Sequence, residues 1–132
     1  MIEHAPVLLI ALPILAAVVP TILGIRFDRV GWPVAVLGML VHAALAIALA
    51  MTVLGGQRIS YEVGGFLAPF GIELVADAFT AILVLLIGAV GLAVLAYART
   101  AGPRTNSFYG LYLLLVAGLT GMTVTGDVFN LY

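Results

Sequence analysis

One histidine stands in the middle of a long apolar run: His42 lies between Val30 and Gln57, a stretch with no Asp, Glu, Lys or Arg. An ionisable group in that setting has two chemistries open to it. It can take up and pass on a proton, because imidazole titrates near neutrality, or it can stay neutral and hydrogen-bond a neighbouring helix inside a bundle. Two carboxylates flank other apolar runs. Asp77 precedes one and Asp127 follows another, which places both at the edge of the apolar layer. Each is a candidate for an ion pathway or a subunit interface, and each also has a local reading. For Asp77 that reading is a first-turn charge set favourably against a helix dipole and capping toward Thr80. For Asp127 it is a turn in Gly126-Asp127-Val128-Phe129-Asn130 that closes one helix, with Asp or Asn starting the next. The sequence shows no Ser-His-Asp set in convincing context, no glycine-rich phosphate loop, no His/Glu metal spacing and no paired carboxylates within an apolar run. Catalytic, cofactor-binding and metal-ligating residues are therefore not assigned, and a self-contained enzyme is not expected.

The elements that must position these residues follow from composition. Of 132 residues, 64% are hydrophobic and 8% charged, against roughly 45–50% and 25% in a soluble domain, so the expected solvent is a lipid bilayer. Charge-free windows run over 4–25, 30–57, 78–98 and 105–126, each meeting the roughly 20 residues needed to cross the hydrocarbon core. Backbone polar groups in lipid must pair within a segment, and alternating barrel-strand patterning is missing from these windows. The expected fold is an all-α membrane protein with four transmembrane helices at about 5–25, 31–54, 77–98 and 106–126, and 127–132 beginning a further helix. Pro13 and Pro20 should kink or locally break the first helix, leaving carbonyls for neighbours to cover, and Pro33 marks the start of the second. Small residues, including Ala43, Ala46, Gly88, Gly91, Gly118 and Gly121, allow close helix packing. The N-terminus lacks the positive region of a secretory signal, so the first apolar stretch is expected to be retained. With a net charge of −1 and no Cys, neither nucleic-acid binding nor a disulfide or thiolate site is expected.

All five basic residues are Arg. Arg26 and Arg29 fall in the first connection, Arg99 and Arg104 in the third, and Arg58 alone in the second. The positive-inside bias then makes the first and third connections cytoplasmic and puts the N-terminus on the outer face. In the outer connection, Ile59, Tyr61 and Val63 alternate with Ser60 and Glu62 before Gly64-Gly65, the pattern of a short hairpin whose second arm is an edge or irregular because of Pro69. An interfacial loop, with Phe66 and Phe70 dipping into the headgroups, fits the same residues.

Two runs carry a family resemblance. One is Ala68-Pro69-Phe70-Gly71-Ile72-Glu73-Leu74-Val75-Ala76-Asp77, and the other is Thr125-Gly126-Asp127-Val128-Phe129-Asn130-Leu131-Tyr132, with Leu115-Val116-Ala117-Gly118-Leu119-Thr120-Gly121 ahead of it. Together they resemble the D-type subunits of Mrp-type Na+(cation)/H+ antiporters and, more distantly, the antiporter-like membrane subunits of respiratory complex I (NADH:quinone oxidoreductase) and membrane-bound hydrogenases. The first two helices match only in hydropathy. The resemblance implies a larger protein of about fourteen helices with inverted repeats and broken helices near the midplane, of which this chain would be the N-terminal part, with N-out topology. It also implies that the family's membrane-embedded Glu and Lys lie beyond Tyr132. Of the family's residues, Asp77 and the Gly126-Asp127 pair match directly. The function implied is secondary cation transport coupled to the proton gradient, in the plasma membrane of a prokaryote. Its implied partners are other subunits of a multi-subunit complex, the C-terminal remainder of the same polypeptide, protons, and a monovalent cation such as Na+, with no cofactor.

Three other readings stay open on the residues alone. A proton-pumping component of a complex I-like dehydrogenase or hydrogenase shares the same early helices. An independent four-helix transporter of the small multidrug-exporter kind would need a carboxylate buried in the first helix, which has none. A scaffold component without an ion path would tolerate replacement of His42 or Asp77 with ion transport unchanged.

Overall fold

The computed structural model describes residues 4–56, 59–63 and 72–125. Four helices and a strand pair occur in the order α1 (Ala5–Leu23), α2 (Gly31–Leu54), β1 (Ile59–Val63), β2 (Ile72–Ala76), α3 (Ala78–Ala101) and α4 (Asn106–Val124). All four helices are long and apolar enough to cross a membrane, and large side chains such as Leu15, Leu37, Met51, Leu86 and Leu111 point outward. In lipid this outward apolar surface is the normal condition of a spanning helix rather than a defect.

The helices end where local chemistry ends them, which shifts four of the expected boundaries, the start of α3 by one residue because Asp77 is its cap. α1 stops at Leu23, two residues early, where the bonding tightens to i→i−3: the Ile25 N–H donates to the Ile22 carbonyl at 3.3 Å and the Arg26 N–H to the Leu23 carbonyl at 3.0 Å. α3 runs on past Arg99 to Ala101. A charge at the helix end does not terminate it when the guanidinium can reach sideways, and Arg99 lies 4.2 Å from the centre of the Trp32 ring. α4 ends at Val124, because Thr125 turns extended and bridges antiparallel to Leu74. The expected further helix over 127–132 and the candidate Asp127 lie outside the described residues. α1 continues as one helix through Pro13 and Pro20, so the local break anticipated there does not occur.

α1 packs most extensively against α4, and α2 against α3. The α1–α4 approach is close at Gly110, where an added Cβ would lie 2.9 Å from Thr21 Oγ1 and 3.3 Å from the Ala17 carbonyl oxygen. Gly118, by contrast, has open space around it and takes no part in a helix contact within the chain. Asn106, the first residue of α4, fixes the turn between α1 and α2. Its Oδ1 accepts from the Gly31 N–H at 2.7 Å and its Nδ2 donates to the Phe27 carbonyl at 2.8 Å. One side chain thereby satisfies a donor at the start of α2 and an acceptor in the preceding turn.

β1 and β2 pair antiparallel with Ile59 opposite Ala76 and Tyr61 opposite Leu74. Two-stranded pairs are marginal alone. Here Ile59, Leu74 and Ala76 are buried in one core cluster with Ala5 and Leu9 of α1, Val53 of α2, Ala81 of α3 and Val124 of α4. The strand pair therefore closes one end of the bundle. His4, just before α1, meets the Tyr61 ring edge-on at 5.3 Å. Pro69, Phe66 and Phe70 lie outside the described residues.

Candidate functional site

Pro13 has no N–H, so the carbonyl four residues earlier, that of Leu9, loses its helical donor. Leu9 is fully buried. The group that comes up beside the Leu9 backbone from α2 is the His42 ring. Across the interface on α3 stands Gly88, where an added Cβ would lie 3.7 Å from His42 Cδ2. His42 is thus enclosed by α1 and α3 and is 1% exposed. Among the described residues Nδ1 and Nε2 are the buried side-chain polar atoms with no partner in good hydrogen-bond geometry, and the Leu9 backbone is the polar neighbour that acts on the ring.

The other buried polar groups are satisfied. Thr120 donates to the Val116 carbonyl at 2.8 Å. Tyr112 donates to the Gly91 carbonyl at 2.7 Å, tying α4 to α3 across the core. Its oxygen and Met39 occupy the space a side chain on residue 91 would need. An unpaired imidazole in such surroundings is costly, since a buried donor or acceptor without a partner forfeits its hydration. It retains two nitrogens able to take or give a proton when a polar partner arrives.

Asp77 is exposed and caps α3, accepting from the Thr80 N–H at 2.8 Å. Its extended backbone is the usual geometry of an N-cap. Along α3, Gly88 is about 16 Å further on at 1.5 Å per residue, so the structure does not bring Asp77 and His42 into one site. Asp77→Asn is expected to leave thermal stability within about 0.5 kcal/mol of wild type, because Asn caps as well as Asp, whereas Asp77→Ala is expected to cost about 1 kcal/mol. If the Asn variant, with its cap intact, loses transport in the assembled complex, the charge at residue 77 matters beyond capping. No group of three or more His, Cys, Asp or Glu suited to a metal occurs among the described residues.

Sequence reasoning picked out His42 but missed Tyr112, Asn106 and the α1–α4 contact at Gly110. A buried Tyr in a lipid-spanning helix needs a partner for its hydroxyl, which was the available signal for Tyr112. The pairing of α1 with α4 has no counterpart in a one-dimensional pattern.

No protein-family model matches the chain. It is 42% identical to the N-type subunit of the NADH-quinone oxidoreductase of Desulforudis audaxviator across all of its length, covering 28% of that protein. It is 41% identical to the D-type subunit of the Na(+)/H(+) antiporter of Alkalihalophilus pseudofirmus over 74% of this chain and 20% of the relative. The chain is thus homologous to antiporter-like membrane subunits of both kinds. Its fold agrees: 99% of this chain superimposes on 24% of a chain in the Mrp complex from Dietzia sp. DQ12-45-1b, with a TM-score of 0.88 and 28% identity. The chain spans about a quarter of the length of these proteins. His42, Leu9, Pro13 and Gly88 are accordingly the interior of a multi-pass membrane segment whose homologues belong to multi-subunit complexes.

Proposed function

We propose that this chain forms the N-terminal helices of a cation/proton antiporter subunit, working in a multi-subunit complex that couples secondary ion transport to the proton gradient. The observation that carries this reading is the superposition of nearly the whole chain on part of the Mrp complex, together with 41% identity to a D-type subunit of an Na(+)/H(+) antiporter. In this reading the chain carries no catalytic chemistry of its own. The four helices support a pathway completed by the rest of the polypeptide and by neighbouring subunits, and His42 is the titratable group this segment contributes to the interior. Asp77 lies at the outer end of α3, and Asp127, outside the described residues, is assigned with it as an interface or ion-pathway group from its place in the sequence. The arginine-rich connections face the cytoplasm of a prokaryotic cell and the strand pair faces outward, in line with the distribution of Arg26, Arg29, Arg99 and Arg104.

A second reading has its own support, because 42% identity to the N-type subunit of an NADH-quinone oxidoreductase extends over the entire chain. Under it the segment belongs to a redox-driven proton pump. Vesicles carrying the complete complex separate the two. An antiporter dissipates an imposed pH gradient on addition of Na+ or K+ without any electron donor, and this is the expected result. Proton movement that appears only with a reductant and quinone would assign the chain to the redox-driven class.

A further inference from the structure

At the end of the bundle opposite the strand pair, α1 hands over to α2 and α3 to α4. A cleft of about 760 Å³ opens there, lined by Asp28, Arg29, Trp32, Arg99, Arg104 and Tyr109 among others. Two of its three arginines are held in place. The Arg99 guanidinium lies over the Trp32 ring, and Arg104 Nη2 donates to the Thr100 carbonyl at 3.4 Å. Trp32 is anchored in turn through its indole N–H to the Leu95 carbonyl, also at 3.4 Å. No carboxylate pairs with Arg29, Arg99 or Arg104 within 4.0 Å among the described residues, and Asp28 is the one acid in the lining. Three guanidiniums and one carboxylate leave a net charge of about +2 facing one cleft, with donors to spare because each guanidinium carries five.

Exposed apolar side chains surround this cationic end: Ile25 is 89% exposed, Tyr97 69% and Phe27 54%. At the boundary of a membrane, such residues sit at headgroup and upper acyl depth. We propose that the cleft is a binding site for the phosphate headgroup of an anionic phospholipid. The phosphate is received by Arg29, Arg99 and Arg104 while the acyl chains run down the apolar helix surface. Bidentate guanidinium–phosphate pairing supplies the recognition, and the aromatic floor of Trp32 and Tyr109 suits the amphiphilic boundary of a lipid better than the fully polar contacts of an acidic protein segment. The site requires that the helices span a bilayer and is independent of which ion the complex moves.

Trp32 is the only tryptophan, so its fluorescence reports on the cleft. The 132-residue chain in nanodiscs is titrated with phosphatidylglycerol brominated on its upper acyl carbons, and separately with identically brominated phosphatidylcholine. At about 1 kcal/mol for each net charge, phosphatidylglycerol should be preferred on the order of 30-fold near Trp32. The preference should vanish in the combined R29Q/R99Q/R104Q variant and survive in R26Q. D28N, which removes the one opposing charge, should raise it about fivefold, and this arm stands even if the triple variant misfolds. Equal quenching by the two lipids, or a D28N variant no different from wild type, would overturn the proposal. Loss of phosphatidylglycerol quenching on adding inorganic phosphate at moderate concentration would assign the cleft to the free anion instead of the lipid. Loss of that quenching when the other subunits assemble would assign it to a protein acid.

Discussion

His42→Leu is expected to leave the chain at least as stable as wild type while lowering proton-coupled exchange by the complete complex on the order of 100-fold, the scale on which a positioned proton-transfer group contributes. The two halves of this expectation have different physical origins. Neither buried ring nitrogen has a partner in good hydrogen-bond geometry, so leucine removes two poorly met hydrogen-bonding atoms and fills a similar volume, but it also takes from the Leu9 backbone its polar neighbour. The two effects nearly offset, leaving a net gain of about 1 kcal/mol or less. The lost exchange follows only if the imidazole hands on a proton, with the Leu9 carbonyl that Pro13 sets free as its polar neighbour in α1. Thermal unfolding of the detergent-solubilised complex and dye-monitored dissipation of a pH gradient in vesicles measure the two effects separately. Full exchange with raised stability would make His42 a packing residue and end its candidacy. A variant less stable than wild type would show instead that the ring is hydrogen-bonded in the assembled complex.

Gly91→Val is expected to destabilise the fold by about 1–3 kcal/mol, the cost of overpacking a tight core. A Cβ at residue 91 would overlap Met39 and stand 2.8 Å from the Tyr112 hydroxyl. Met39 is fully buried and belongs to the same cluster as Leu95, Tyr112 and Leu113, so its terminal methyl can yield only by displacing other core side chains. Pushing α3 from α4 also breaks the Tyr112–Gly91 hydrogen bond, worth about 0.6–2 kcal/mol between membrane helices. Tyr112→Phe isolates the second contribution, since it deletes the bond without adding volume. The midpoint of unfolding for the valine variant should fall well below that of the phenylalanine variant, and equal midpoints would show that residue 91 is not confined.

Much of this architecture was legible in the order of the residues. Charge excluded from four windows located four helices, because an unpaired charge in hydrocarbon is expensive wherever it falls along a span. Alternation at Ile59, Ser60 and Tyr61 matched a strand whose buried face covers the bundle end. Charge was a poorer guide to where α3 stops. Arg99 belongs to the helix because Trp32, 67 residues earlier in the chain, offers its ring (99 − 32). Among the glycines, composition gave equal standing to Gly91 and Gly118, yet an added Cβ meets Met39 and Tyr112 at the first and nothing at the second. That distinction is set by which helices face one another, as is the enclosure of His42 by α1 and α3. A hydropathy profile carries no information on pairing when every helix is apolar on all sides.

The pairing of α1 with α4 also bears on how the chain is made. α1 leaves the ribosome before the other three helices and finds its largest partner in the last of the four, and Asn106 sets the α1–α2 turn only once α4 has arrived. Until then, α1 must wait in the bilayer with Pro13, Pro20 and Ala17 facing lipid, or be held by the insertion machinery. Thr125, which bridges to Leu74, is translated about 50 residues after it, several seconds at ordinary elongation rates. Assembly of these four helices is thus gated by synthesis of α4, and nascent chains halted before Asn106 should crosslink to the translocon through α1, whereas those extended well past Thr125 should have released it.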